Sequence, residues 1–305
     1  DKTSGTVSLA SNLTVQGDVA ITSGTFSTGT YTVTFSKASG TQTLNSGGNS
    51  FYKLTHSGGG TLQLTGALTV TNTLTNSAGN LDLNGKSLTV TGATLSNAAT
   101  LRLIGTETVT GISGTIGGTV NYYGTASYTG LAAGNNYTNL TISAGGTYTV
   151  TTTNLSVTAT LTLSSNSTLY AAGYNLTIGT LSNDSGCTLR VQGGETLNIT
   201  TKDTDSGTIE YVGSGAQTYT SFNYGNTFYS GNFTIASGTM TCPAGDLTVS
   251  GTFTQSGGTF NAPSGNLKLY TTFTRTGGTF NHNDGTVIFY GNSGYTITTA
   301  GVTFY

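Results

Sequence analysis

The chain has 305 residues, of which 7% are charged, 34% are hydrophobic and 46 are glycine, with a formal net charge of −2. Nine scattered Lys and Arg residues leave no electrostatic footprint for nucleic acid or an anionic membrane surface. No apolar run approaches the ~20 residues of a membrane-spanning helix.

Thr makes up roughly a fifth of the chain, far above ordinary usage. Val, Ile, Thr, Tyr and Phe alternate with polar residues, which is a strand pattern and not the charged, aromatic-poor composition of disorder. Strong helix formers are scarce. The fold is expected to be all-β.

In chain order, four Gly-Thr pairs open the large modules: Gly5-Thr6, Gly60-Thr61, Gly146-Thr147 and Gly238-Thr239. Eight or nine residues after each comes a short strand core: Leu13-Thr14-Val15, Leu68-Thr69-Val70, Leu155-Ser156-Val157 and Leu247-Thr248-Val249. The last three cores recur at Leu88-Thr89-Val90, Leu176-Thr177-Ile178 and Leu267-Lys268-Leu269, with spacings of 20, 21 and 20 residues. A later signature of Gly-Thr, aromatics and Gly runs through Gly118–Gly124, Gly207–Gly213 and Gly285–Gly291. Aromatic markers follow it at Tyr137, Phe228-Tyr229 and Phe304-Tyr305, with Phe51-Tyr52 earlier in the chain.

A period near 20 residues with two or three strands per turn predicts a single elongated β-solenoid without a helical cap. Inward Leu, Val, Ile and Phe fill its core, and Gly and Asn take the corners. The competing arrangement is a series of tandem small β-sandwich domains, but 20 residues are too few to close a core. The whole chain, 1–305, reads as one repeat domain with internal modules at 1–52, 53–137, 138–229 and 230–305. Repeat alignment puts Cys242 at an inward position and separates it from Cys187 by nearly three coils, so two unpaired thiols are expected rather than a bridge.

Catalysis needs convergent groups, and eleven acidic residues spread over the coils do not supply them. The densest patch, Asp203, Asp205 and Glu210, has part of a calcium-loop pattern but lacks its ligand spacing, and it reads as a solvated turn. His56 and His282 lie many coils apart, so neither a zinc site nor a Ser-His-Asp arrangement is expected. No cofactor is expected. Arg102 with Glu107 and Arg190 with Glu195 recur at the same spacing and are expected to form exposed ion pairs or contacts between rods. The Thr-x-Thr runs at Thr147/Thr149/Thr151, Thr158/Thr160/Thr162 and Thr272/Thr274/Thr276 start at irregular intervals, which argues against an ice-binding array. Possible N-glycosylation sequons begin at Asn12, Asn136, Asn139, Asn154, Asn166, Asn175, Asn183, Asn198 and Asn232.

By its periodicity and composition the chain resembles the repetitive β-solenoid surface and filament proteins and adhesin stalks of bacteria and archaea. It shares only a coil period with the pectate-lyase-like enzymes. The resemblance implies an extracellular, non-enzymatic structural protein, its signal peptide removed, that assembles head to tail with copies of itself into a filament or surface fibre. The repeat phase carries across a junction of Val302, Phe304 and Tyr305 with Asp1, Lys2, Gly5 and Thr6 of the next copy, a few residues short. The alternative is an adhesin stalk or carbohydrate-binding rod that meets surface glycans through exposed Tyr122, Tyr123 and Tyr290. A β-helix polysaccharide-active enzyme or an ice-binding protein is more remote.

Overall fold

The structure is a computed structural model and describes residues 5–92, 94–203, 206–212, 216–218, 232–242, 244–290 and 296–301. It is a β-solenoid: parallel coils of about 20 residues are stacked strand on strand, with no helix among the described residues. Two units divide at Thr141 and Ile142.

In the first unit one ladder stacks Leu13–Val15, Thr32–Phe35, Ser50–His56, Leu68–Asn76, Leu88–Val90 and Val109–Thr110. A second stacks Val19–Ala20, Thr41–Asn45, Thr61–Leu64, Asn80–Asp82, Thr100–Leu103 and Ile116–Tyr122. In the second unit the longest ladder runs Thr147–Thr149, Thr168–Tyr170, Thr188–Val191, Thr208–Tyr211, Asn232–Ile235, Phe253–Gln255, Phe273–Arg275 and Ile297–Thr298. Companion ladders there include Leu155–Leu163 with Leu176–Asn183, and Leu247–Val249 with Asn266–Leu269 and Thr286–Phe289. Antiparallel pairing, which a sandwich would use, does not hold these coils together.

The repeats legible in sequence are the structural register. Leu68-Thr69-Val70 pairs residue for residue with Leu88-Thr89-Val90, Leu155-Ser156-Val157 with Leu176-Thr177-Ile178, and Leu247-Thr248-Val249 with Leu267-Lys268-Leu269. The 21-residue spacing in the second pair has a local cause. A register shift between Val157 and Thr160 absorbs the extra residue, so that Thr160 faces Thr180 at an offset of 20.

Period-2 alternation puts one face of every strand inside. Thr100–Leu103 and Thr188–Val191 both alternate half-buried and buried residues. Because the register is constant, like side chains stack into columns. Leu62, Leu81, Leu101 and Val120 form one, and all four are fully buried. In the second unit the equivalent column becomes aromatic, with Phe233, Phe253 and Phe273 at centroid separations of 5.7 and 5.1 Å. Such contacts add to the area each ring buries.

Corners use left-handed backbone. Gly111 turns at φ +82°, and a Cβ there would collide with the Val90 carbonyl of the previous coil. Only glycine meets both demands.

Candidate functional site

Parallel stacking leaves backbone N–H groups at the coil corners without ladder partners, and the polar side chains beside them answer that need. Asn12 Oδ1 accepts the Thr32 N–H at 2.9 Å, Asn154 Oδ1 accepts Asn175 N–H at 3.0 Å, and Asn175 Oδ1 accepts Thr196 N–H at 2.7 Å. Asn232 Oδ1 accepts Thr252 N–H at 2.9 Å. Each side chain thus clamps a backbone group of the next coil. Asn139 instead donates through Nδ2 to the Gly118 carbonyl at 3.0 Å. The Asn-Leu-Thr pattern read as a sequon is therefore also a coil clamp. Asn198 is exposed, whereas Asn183 is fully buried and donates to the Thr208 carbonyl, which removes it as an acceptor for glycan.

The Arg–Glu pairs expected from spacing do not form. Both glutamates are buried, at 6% and 4% exposure, and serve backbone donors instead. Glu107 Oε1 accepts Ile104 and Gly85 N–H, both at 2.8 Å, while Oε2 accepts Gly105 N–H at 2.7 Å. Glu195 repeats the device on Gly173, Gln192 and Gly193. The arginines face other partners. Arg102 lies 3.8 Å from Asp82 and 4.3 Å from the Tyr123 ring centroid, and Arg190 Nε donates to Glu210 at 2.6 Å. Strand direction decides this: Arg102 is on an outward face, and Glu107 lies beyond the strand in a turn that folds back over the coil edge.

The acidic patch is dispersed by the same logic. Asp203 Oδ2 accepts the Asn183 N–H at 2.6 Å and Glu210 is committed to Arg190. Asp205 lies outside the described residues. Among the described residues no three His, Cys, Asp or Glu side chains come together as a metal site. Of the junction residues, Gly5 and Thr6 are exposed, and Asp1, Lys2, Val302, Phe304 and Tyr305 lie outside the described residues.

His56 belongs to a buried polar column. Its Nδ1 lies 2.9 Å from Asn76 Oδ1, Asn76 Nδ2 donates to Asn97 Oδ1 at 2.7 Å, and Asn97 Nδ2 donates to the Gly117 carbonyl at 2.6 Å. Burial holds the His56 pKa below its ordinary value, opposed by the Asn76 bond. Cys187 and Cys242 are both free and buried, and burial pushes their thiols up. They are unreactive core groups.

The tyrosines divide. Tyr122, expected on the surface, is fully buried, and its hydroxyl lies 3.2 Å from that of Tyr137. Tyr123 is half-buried and donates to Asp82 at 2.8 Å; burial and that carboxylate raise its pKa. Tyr290 is exposed and stacks on Tyr270 of the preceding coil at 5.0 Å, a partner that spacing did not reveal. Beside them Lys268 and Asp246 form a 2.7 Å ion pair. Hydrogen bonding to Lys268, and next to the Asn266 N–H, lowers the Asp246 pKa.

Threonine columns were also hidden. Thr147, Thr168, Thr188 and Thr208 stand in register on successive coils. Two residues along, the parallel column reads Thr149, Tyr170, Arg190 and Glu210, so the Thr-x-Thr pair is not repeated. No family model, curated protein or solved structure matches the chain.

Proposed function

We propose that this is an extracellular structural protein that assembles head to tail with copies of itself into a β-rich filament or surface fibre. The observation that carries the reading is the exposure of core-phase side chains in two coils. Val7 pairs in register with Phe26, and Ile297 with Phe273, yet both remain 44% exposed. Val7 opens with Ala20, Ile21 and Phe26 onto a cleft of about 240 Å³. Covering such apolar surface with a further coil is favourable, and a coil of another copy brings the register this one already uses. Clamps at Asn12, Asn154, Asn175 and Asn232 support the same reading, because they invest polar side chains in coil-to-coil cohesion.

Negative-stain microscopy of the purified protein over a concentration series tests it, alongside Val7→Asp and Ile297→Asp. Filaments that lengthen with concentration and disappear in either variant are expected. Particles of constant length at every concentration overturn the proposal.

A further inference from the structure

The flank of the first unit carries a groove of about 430 Å³ that crosses successive coils. Thr25 and Ser27 line it from one strand, Asn49, Ser50 and Tyr52 from the next coil, and Thr71 from the coil after that. No lining residue is charged.

Its walls are fixed by bonds between coils. The Tyr52 N–H donates to Thr28 Oγ1 at 3.0 Å. Asn49 Oδ1 accepts the Phe26 N–H and its Nδ2 donates to the Ser46 carbonyl, both at 2.9 Å. Thr71 Oγ1 donates to the Phe51 carbonyl at 3.4 Å. The hydroxyls of Thr25, Ser27 and Ser50 and the Tyr52 phenol take no side-chain hydrogen bond among the described residues. A rigid groove therefore presents one aromatic ring and four unengaged hydroxyls.

We propose that this groove binds a neutral oligosaccharide. A tyrosine ring supplies the apolar surface that the C–H face of a pyranose covers, and its phenol a polar end. Rotatable hydroxyls both donate and accept, as a sugar's own hydroxyls require. An ionic ligand would lose hydration here without a charge to replace it, since Lys53 lies 5.6 Å from the Tyr52 ring and outside the lining. Three stacked coils span about 10 Å, which accommodates two linked pyranose units. The site is independent of filament formation, which is read by microscopy and not by binding.

Calorimetric titration with cellotetraose, maltotetraose, mannotetraose and xylotetraose, with tetragalacturonate as the charged comparison, tests it. At least one neutral sugar is expected to bind at millimolar or lower concentration. Tyr52→Ala should weaken that binding at least about tenfold, while Tyr290→Ala leaves it unchanged. Ser50→Arg, at an exposed position in the groove, should abolish binding with the far-ultraviolet circular dichroism spectrum preserved, and it keeps the test decisive if Tyr52→Ala fails to fold. Three results overturn the proposal: no neutral sugar binding at millimolar concentration, tighter binding of tetragalacturonate, or binding that survives Ser50→Arg.

Discussion

Replacing Glu107 with Ala removes a buried carboxylate and leaves the N–H groups of Gly85, Ile104 and Gly105 without that acceptor. Hydrogen bonds to a charged group are each worth about 1.5–3 kcal/mol where water is excluded. These three donors are half-buried at a coil edge, so water replaces part of what is lost. Taking roughly 1 kcal/mol net for each bond gives about 3 kcal/mol for Glu107→Ala. Glu107→Gln keeps one acceptor oxygen and turns an amide nitrogen toward a donor, for a loss of about 2 kcal/mol. Urea unfolding followed by circular dichroism measures the loss, and amide exchange at Gly85 and Gly105 places it at this edge. A double-mutant cycle with Arg102→Ala should show coupling near zero, because Arg102 faces Asp82 and Tyr123. An Ala variant within about 0.5 kcal/mol of the parent would refute the buried-cap reasoning.

Burial of His56 makes stability pH-dependent. Its folded pKa lies below 6.5, so the unfolded chain binds more protons as pH falls through about 6.5. The contribution is complete above that pH and is lost below it, toward the folded pKa. His56→Asn, which continues the Asn76–Asn97 column, should flatten the melting-temperature profile between about pH 5 and 7; an unchanged profile contradicts this. Gly111→Ala combines φ +82° with a collision against Val90 and should cost at least about 2 kcal/mol in urea unfolding. Asn175→Ala removes the clamp on Thr196 and should cost about 1 kcal/mol, with faster exchange at the Thr196 amide.

Backbone architecture was largely legible because a solenoid repeats its inward residues at the coil period. The Leu-Thr-Val cores reveal register directly, and even the 21-residue spacing maps onto one bulge at Val157–Thr160. Inward cysteine at 242 followed from alignment with Leu64 and Val150. Partners were harder to read, since contacts here link residues one coil apart rather than near neighbours in sequence. Arg102 and Glu107 looked like a pair at a spacing of five, whereas the strand ladder hands Arg102 to Asp82, and the turn hands Glu107 to backbone. Tyr122 and Tyr123 were read together as surface residues, but strand alternation puts one inside and the other out. The groove at Tyr52 escaped notice because its residues come from three coils. The cue was available: aligning Thr25, Ser50 and Thr71 at the coil period would have brought them to one flank.

Spin-label distances along one outward column test the stacked register most directly. With Cys187 and Cys242 replaced by Ser, labels at Thr149→Cys and Thr254→Cys lie on the column that runs through Tyr170, Arg190, Glu210 and Thr234. Five coil steps at about 4.8 Å predict a backbone separation near 24 Å, with label tethers broadening the distribution. A single distribution centred there supports the solenoid. A distance well beyond it, or several unrelated distances, would contradict the stacking on which the rest depends.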